Sequence, residues 1–432
     1  MATKSASPSY ANPQRECDLV MKGGATSGLV YPRAVLELAR QPEPGEQKTS
    51  YRFRSIGGTS AGAVAAAFTA AAEHNRDRGG FEKLHEINEK LQGGDGEGRQ
   101  PGEKPGPATP PTYLRDLFQG SQATQPLLNI FIRMALYSQE VKNISRKAGS
   151  ILWRIPALLR LALRILKDSA VPGIWKGRFY GVVAGLLLAA LLAGIIGVAP
   201  WLLTGSWTAF SWELAVLGAI LGLAGFVCGG LIAGLYGLYR IATTEVPRNR
   251  FGICGGLKDP LNAVYPTDQP AVMEWLHGSI QEIAGRSTHR WEEALTFADL
   301  RGRKIVLEVM VTNVSEGRPY VLPFDEPFIF RKQDFEKLFP ESLVTRLTRS
   351  ARRIRGIELP QAEGFYFLPK GDDLPVAVAA RLSMSFPLLF SSVPLYSLPL
   401  WVRERIEDDA FDVSEEPLDA LPKSLGQLPE RD

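Results

Sequence analysis

Apolar residues in the first 75 positions follow a strand–turn–helix order that occurs twice. The short apolar run Asp18–Met21 ends at a glycine pair, and apolar positions at helical spacing follow from 29 to 38. Tyr51–Ile56 predicts a second strand, which a further glycine pair separates from an alanine-rich helix over Ala61–Glu73. Two such units in succession predict an α/β fold with a parallel sheet.

The pattern changes after this region. Glycine and proline occupy 11 of the 21 positions from Gln92 to Thr112, which predicts a flexible loop. Farther along the chain, Ala271–Ile283 predicts a helix and Lys304–Val311 predicts a buried strand. The apolar run Leu374–Ala380 leads into the turn-rich segment Ser383–Pro387.

Two uncharged apolar runs lie in the middle of the chain. Phe179–Leu203 has 25 residues and Leu214–Tyr239 has 26. As helices they would be about 37–39 Å long, which is enough to cross a hydrocarbon core of about 30 Å. Small residues four positions apart on both runs would allow close helix packing in lipid. The runs therefore predict a transmembrane hairpin, and the alternative is a pair of helices buried in a large core.

Charged residues around the two runs set the expected orientation. The basic residues nearest to the runs are Arg164, Lys167, Lys176, Arg178, Arg240, Arg248 and Arg250. The link between the runs, 204–213, carries only the acidic Glu213. The positive-inside bias predicts a two-helix membrane protein with its N-terminus and both soluble segments in the cytoplasm. The leucine-rich segment Ile151–Lys167 has a basic face, which is typical either of a helix at the membrane surface or of one packed on the protein.

Composition excludes several classes of function. The chain has 49 Lys and Arg against 46 Asp and Glu, a formal net charge of +3, which gives no general basic field for nucleic acid. Three cysteines without a C-x-x-C pair argue against a disulfide scaffold and a thiolate zinc site. The four histidines are scattered. We expect no metal, no organic cofactor and no nucleic-acid partner.

The sequence Gly58-Thr59-Ser60-Ala61-Gly62 has the G-x-S-x-G pattern of a nucleophile elbow. This chemistry needs a serine on a sharp turn between a strand and a helix, so that its hydroxyl projects from the sheet edge. Glycines two positions before and after the serine let the turn close without a Cβ clash. Because a strand precedes the motif and a helix follows it, Ser60 is the candidate nucleophile. The alternative is a small-residue turn without chemistry.

A glycine-rich turn stands about 35 residues before Ser60. It reads Lys22-Gly23-Gly24-Ala25-Thr26-Ser27-Gly28 and lacks the patterns of a Walker loop and of a dinucleotide-binding loop. Its backbone N–H groups could hold either a phosphate or the oxyanion of an acyl-transfer intermediate. With a serine elbow one βα unit later, the backbone of Gly23, Gly24 and Ala25 is predicted to form an oxyanion hole.

These two elements together resemble the patatin-like phospholipase family. Gly23, Gly24 and Gly28 match its glycine loop, although Ala25 replaces a third glycine and Ser27 replaces a basic residue. The stretch from Leu374 to Tyr396 is similar to the family segment ahead of a D-G-G/A motif. The resemblance covers about 18–73 and 303–400. It implies a three-layer α/β fold, here interrupted by the hairpin, and a Ser–Asp dyad that hydrolyses lipid esters.

The dyad aspartate is the main departure from this family. The only Asp-Gly pair, Asp95–Gly96, lies in the predicted flexible loop. Asp408, Asp409, Asp412 and Asp419 belong to an acid-dense segment, and Asp409–Ala410 is the nearest imitation of the motif. We expect none of these carboxylates to serve as the base, and we expect a truncated or diverged enzyme. The α/β-hydrolases with a catalytic histidine fit less well, because His277 and His289 lie in helical, charged surroundings typical of packing or surface residues.

Five parts are expected along the chain. Residues 1–16 form a polar arm without a signal peptide, and 17–150 and 246–402 form the two halves of the patatin-like domain. Between them, 151–245 holds the basic segment and the hairpin, and 403–432 forms an acidic tail. The predicted function is a membrane-anchored acyl hydrolase acting on membrane lipid. The alternative is an inactive membrane protein that keeps this fold for lipid or partner binding.

Overall fold

The structure of the protein is a computed structural model. It describes residues 10–24, 27–42, 46, 48–91, 117–133, 176, 179–188, 191, 212–259, 270–324, 328–350, 364–369, 371–385 and 388–397. The predicted loop at 92–112, the basic segment at 151–167 and the acidic tail lie outside these residues. Contacts divide the chain into two compact units. One contains 1–119 and 250–432, and the other contains 120–249.

The described strands and helices are numbered in chain order. The strands are β1 (Arg15–Met21), β2 (Tyr51–Thr59), β3 (Gly252–Cys254), β4 (Val306–Asn313), β5 (Arg318–Leu322), β6 (Phe328–Arg331), β7 (Phe365–Phe367), β8 (Leu388–Phe390) and β9 (Tyr396–Ser397). The helices are α1 (Ser27–Ala39), α2 (Ala61–His74), α3 (Gly80–Leu91), α4 (125–133), α5 (Phe179–Leu188), α6 (Trp212–Arg240), α7 (Val246–Arg248), α8 (Val272–Ile283), α9 (Phe297–Gly302), α10 (Lys332–Phe335), α11 (Glu341–Ser350) and α12 (Val376–Ser383).

The first unit is built on a four-stranded sheet with the order β1-β2-β4-β5. Strand β2 pairs in parallel with β1 and with β4, and β5 joins β4 in an antiparallel manner. The sheet is therefore mostly parallel, as the two strand–turn–helix units predict. The strand that pairs with β2 on its other side, β4, comes about 250 residues later in the chain. The last pair between these two strands joins Thr59 to Met310.

Helix α2 forms the centre of the hydrophobic core. All its residues from Gly62 to Glu73 are buried, and α1, α3, α8 and α12 surround it. Because this stretch is buried on every side, its small alanine side chains let the neighbouring helices approach closely. Its last turn is fixed by a buried ion pair of 2.7 Å between Arg76 and Glu73, whose carboxylate also accepts the N–H of Phe53 in β2.

The opposite face of the sheet is open in the described part of the chain. Side chains that alternate along β1 and β4 project there, and Val20 is 88% exposed. Val306, Met310 and Val321 on the same face are also exposed. The strands consequently pack on one side into the core around α2 and present apolar residues on the other.

The second unit contains the apolar helices α5 and α6. Among the described residues, one helical stretch, Ala219–Arg248, is long and apolar enough to cross a membrane, judged by length and composition. The first predicted run is described only over 179–188 and at residue 191. Here α5 packs against α6 with glycine at the contact, because a Cβ at Gly181 would overlap the carbonyl of Gly225 and one at Gly185 would overlap that of Leu221. Small residues thus allow the two backbones to touch.

Candidate active site

Ser60 lies at the junction of the β2 strand and the α2 helix. Its backbone has φ 54° and ψ −126°, a region that residues with a side chain rarely occupy. The carbonyl of Ser60 already accepts the N–H of Ala63 at 2.9 Å, so the helix begins directly after the turn. A strained serine between a parallel strand and a helix is the arrangement that the G-x-S-x-G pattern predicts.

The two motif glycines are required by close backbone contacts. A Cβ at Gly58 would overlap the carbonyl oxygen of Gly62, and a Cβ at Gly62 would overlap the carbonyl oxygen of Met21 at the end of β1. Neither glycine has a positive φ. They are therefore needed for space rather than for backbone freedom, because a methyl group at either position would push β1, β2 and α2 apart.

The glycine-rich turn reaches the same place. Gly23 lies against the elbow, since a Cβ there would be 3.0 Å from the Cβ of Ser60. Gly24 is exposed beside it, and Ala25 lies outside the described residues. The N–H of Lys22 donates to the hydroxyl of Tyr31 at 3.1 Å, which ties the turn to α1. The structure thus brings Gly23 and Ser60 together, and the oxyanion hole itself stays a prediction.

Ser383 is a further residue at the elbow, and the sequence pattern did not single it out. The backbone N–H of Ser60 donates to the Ser383 hydroxyl at 2.7 Å, and that hydroxyl donates to the carbonyl of Met310 at 2.7 Å. Ser383 is the last residue of α12, whereas the sequence pattern indicates only the start of a turn-rich segment there. The resemblance of this stretch to the segment ahead of the family aspartate was the available signal.

A cavity of about 350 Å³ opens beside Ser60. Thr59, Ser383 and Ser385 contribute to its wall next to the serine. Most of the remaining wall is apolar and consists of Val311, Val314, Phe324, Phe328, Val393 and Leu395. A serine in the wall of a largely apolar cavity suits an ester whose acyl chain leaves water.

No carboxylate among the described residues is hydrogen-bonded to Ser60. Asp408, Asp409 and Asp412, as well as Asp95, lie outside the described ranges. Glu316 lines the same cavity, but its carboxylate pairs with Arg318 at 2.7 Å and accepts the Tyr320 hydroxyl at 2.6 Å. The base that a serine nucleophile requires is therefore not assigned from this part of the chain.

His277 and His289 have structural explanations that do not involve catalysis. His277 is only 1% exposed and stacks on Trp291, with ring centroids 3.5 Å apart. Burial, with a smaller contribution from the Arg346 charge, lowers the pKa of His277 to about 4, so the ring is neutral at neutral pH. His289 is exposed. His277 is therefore a residue of the packed interior, and His289 is a surface residue.

A buried arginine anchors the segment that carries Ser383. Arg381 is fully buried and donates to the carbonyls of Gly255 and Ser391, at 3.0 Å and 2.8 Å. It also donates to the Ser385 hydroxyl at 3.0 Å. Burial lowers the pKa of Arg381 to about 10, which leaves it charged at neutral pH. Carbonyl dipoles directly after β3 and directly after β8 thus hold this charge and fix the end of α12.

No group of three or more His, Cys, Asp or Glu side chains that could hold a metal ion occurs within the described residues.

Residues 19–148 match the family of patatin-like phospholipases. The chain is similar to the RpoH suppressor of Rhizobium meliloti (strain 1021), with 32% identity over 409 residues, which are 89% of this chain and 53% of that protein. The chain therefore spans about half the length of the curated relative it matches. No solved structure matches it.

Proposed function

We propose that the chain is a membrane-anchored lipid acyl hydrolase with Ser60 as its nucleophile, and the match of residues 19–148 to the patatin-like phospholipases supports this proposal. The observation that carries this proposal is the conformation of Ser60, at φ 54° and ψ −126° beside an apolar cavity. Strained backbone of this kind persists where the surroundings enforce it, and it is concentrated at functional sites.

The proposed reaction begins when the Ser60 hydroxyl oxygen attacks the carbonyl carbon of a lipid ester. The hydroxyl proton passes to a carboxylate base, and the carbonyl oxygen becomes an oxyanion held by the backbone N–H groups of Gly23, Gly24 and Ala25. The intermediate collapses as the base returns this proton to the departing alcohol oxygen, which leaves the acyl group on Ser60. Water then loses a proton to the same base and attacks this ester, and the fatty acid is released as the Ser60 oxygen regains a proton. No metal or organic cofactor takes part in these steps.

Helix α2 contributes a second, electrostatic element to the proposal. It starts at Ala61, directly after the nucleophile, and its N-terminal end points a positive partial charge toward the reaction centre. Apolar residues predominate among the described residues that line the cavity. The substrate is therefore proposed to be a membrane lipid, such as a phospholipid or an acylglycerol.

The membrane anchor in this proposal is a hairpin of Phe179–Leu203 and Leu214–Tyr239. Its support is the apolar stretch Ala219–Arg248 and the glycine contact between α5 and α6. Leucines on both helices are exposed; for example, Leu187 and Leu223 are each 66% exposed. Such surfaces are stable where lipid covers them. With its basic flanks the hairpin would keep the N-terminus and both soluble segments in the cytoplasm. In the three-layer fold that the family resemblance implies, a third layer would cover the exposed face of the sheet.

Three experiments test the two halves of this proposal, the nucleophile and the membrane anchor. A fluorophosphonate probe requires only the attack step, so the wild type should be labelled and the Ser60→Ala variant should not. Carbonate extraction of membranes should leave the protein in the pellet, and a reporter inserted between 204 and 213 should respond as an outside site. Equal labelling of both proteins would contradict the nucleophile, and recovery in the soluble fraction would contradict the anchor.

A further inference from the structure

The Ser383 hydroxyl takes the place of the next backbone hydrogen bond between β2 and β4. The regular pairing of these strands ends where Thr59 lies opposite Met310. At Ser60 the backbone turns away, so its N–H can no longer continue the ladder with a carbonyl. Ser383 fills the gap, because it accepts the Ser60 N–H and donates to the Met310 carbonyl, each at 2.7 Å.

This bridge holds a backbone conformation that is costly by itself. Ser60 has a positive φ of 54°, and its own side chain forms no cap for α2. Residues in sparsely populated regions keep their conformation only when several neighbours determine it. The described neighbours that do so are Gly23, which lies against the Ser60 side chain, and Ser383, which holds the backbone N–H.

Ser383 is itself well fixed. It lies two residues after Arg381, whose guanidinium is buried and bound to the carbonyls of Gly255 and Ser391. The end of α12 is thereby connected to two other segments of the first unit. A hydroxyl with so little freedom can determine the orientation of the peptide that it bonds.

We infer that Ser383 is a positioning residue for the nucleophile. It holds the Ser60 peptide so that the Ser60 hydroxyl projects into the cavity, and it acts through the backbone rather than on the substrate. This inference rests on the proposed function for its consequence in catalysis. Its structural half, that Ser383 holds the elbow, is independent of that function and can be measured separately.

The test combines amide hydrogen exchange with probe labelling on the purified 432-residue chain in detergent. Ser383→Ala removes the hydroxyl, and Ser383→Cys nearly keeps its size but is a poor hydrogen-bonding partner. Ser383→Thr restores a hydroxyl and serves as the rescue variant. Thr69→Val is the control, because the Thr69 hydroxyl likewise donates to a backbone carbonyl, that of Ala65 at 2.7 Å, within α2 and away from the elbow.

Exchange in a peptide spanning 57–63 should accelerate about tenfold in the Ala and Cys variants, and fluorophosphonate labelling of Ser60 should slow by about tenfold or more. The Thr variant should approach the wild type in both measurements, and Thr69→Val should change neither. Unchanged exchange in Ser383→Ala and Ser383→Cys would overturn the inference, as would faster exchange with an unchanged labelling rate. If the wild type is not labelled at all, the proposed function fails, while exchange still decides whether Ser383 holds the elbow.

Discussion

Gly23 lies directly against Ser60, although 37 positions separate them in the sequence. A Cβ atom at residue 23 would be 3.0 Å from the Cβ of Ser60 and 3.0 Å from the carbonyl oxygen of Thr59. The glycine turn and the serine elbow therefore form one site, because the parallel pairing of β1 with β2 brings the ends of both strands to the same sheet edge. Any side chain at residue 23 would press on the nucleophile.

Gly23→Ala is accordingly expected to slow fluorophosphonate labelling of Ser60 by about tenfold, since a small displacement of a reacting group has a large effect on rate. Gly278→Ala is the matched control. Gly278 lies inside α8 with open space around it, so alanine there should stabilise the helix by about 1 kcal/mol and leave labelling unchanged. Rates would be measured by in-gel fluorescence over time. A Gly23→Ala protein labelled as fast as the wild type would contradict the close contact.

Gly62→Ala should destabilise the fold much more than Gly23→Ala. The new methyl group would overlap the backbone carbonyl of Met21, and neither β1 nor α2 can move without disturbing the core. Overpacking of this kind costs about 3 kcal/mol. Urea unfolding followed by circular dichroism would measure the loss of unfolding free energy. A change below about 0.5 kcal/mol would show that the β1–α2 contact is looser than described.

His277 should make the stability of the first unit depend on pH. Burial lowers its pKa in the folded state to about 4 from an ordinary value of 6.5, so between these values the unfolded chain binds more protons than the folded one. Stability is therefore complete above pH 6.5 and falls as the pH approaches 4. The difference between the two pKa values corresponds to about 3 kcal/mol.

A His277→Phe variant would keep the stacking on Trp291 and remove this titration. The unfolding free energy of this variant should lose about 2–3 kcal/mol less than that of the wild type between pH 7 and pH 4. His289→Gln, at an exposed position, is the control and should follow the wild type. Identical pH profiles for the wild type and His277→Phe would show that the buried ring does not titrate in this way.

Ester hydrolysis by the 432-residue chain is expected to be weak. A general base must lie within about 3.2 Å of the serine oxygen, and the acid-dense 404–419 segment lacks the alternating apolar pattern of a strand that could deliver one. Like charges packed together also resist placement in a dry site. Changing Asp408, Asp409 or Asp412 to Asn should leave fatty-acid release unaltered. Robust release that disappears in one of these variants would identify the base and refute this expectation.

Local patterns predicted the elements that form the site, but not the contacts between them. The strand, glycine and helix signals around Ser60 are contiguous in sequence, so the elbow and the parallel β1–β2 pair could be expected. The Ser383 bridge joins residues 323 positions apart, and only the three-dimensional path of α12 brings them together. Serine is also common in turns, so its residue type gave no signal of a structural role.

The boundaries of elements were less predictable for a similar reason. The apolar run Leu374–Ala380 does not by itself distinguish a strand from a buried helix. Most of this run belongs to α12, which is buried on all sides because it packs against α2 and its neighbours. The antiparallel β5 strand depends on the turn after Asn313, whose side chain accepts the N–H groups of Ser315 and Glu316. Such a turn is set by one side chain and leaves little trace in the hydrophobic pattern.

The most direct measurement of the central claim is the site of fluorophosphonate attachment on the intact chain. Attack by an oriented serine near oxyanion donors is faster than reaction in water even when the base is lost, so labelling should occur in a protein that turns over poorly. One probe per chain is expected, found by peptide mass spectrometry on Ser60, and no adduct is expected in Ser60→Ala. An adduct on another serine, or equal labelling of Ser60→Ala, would contradict it.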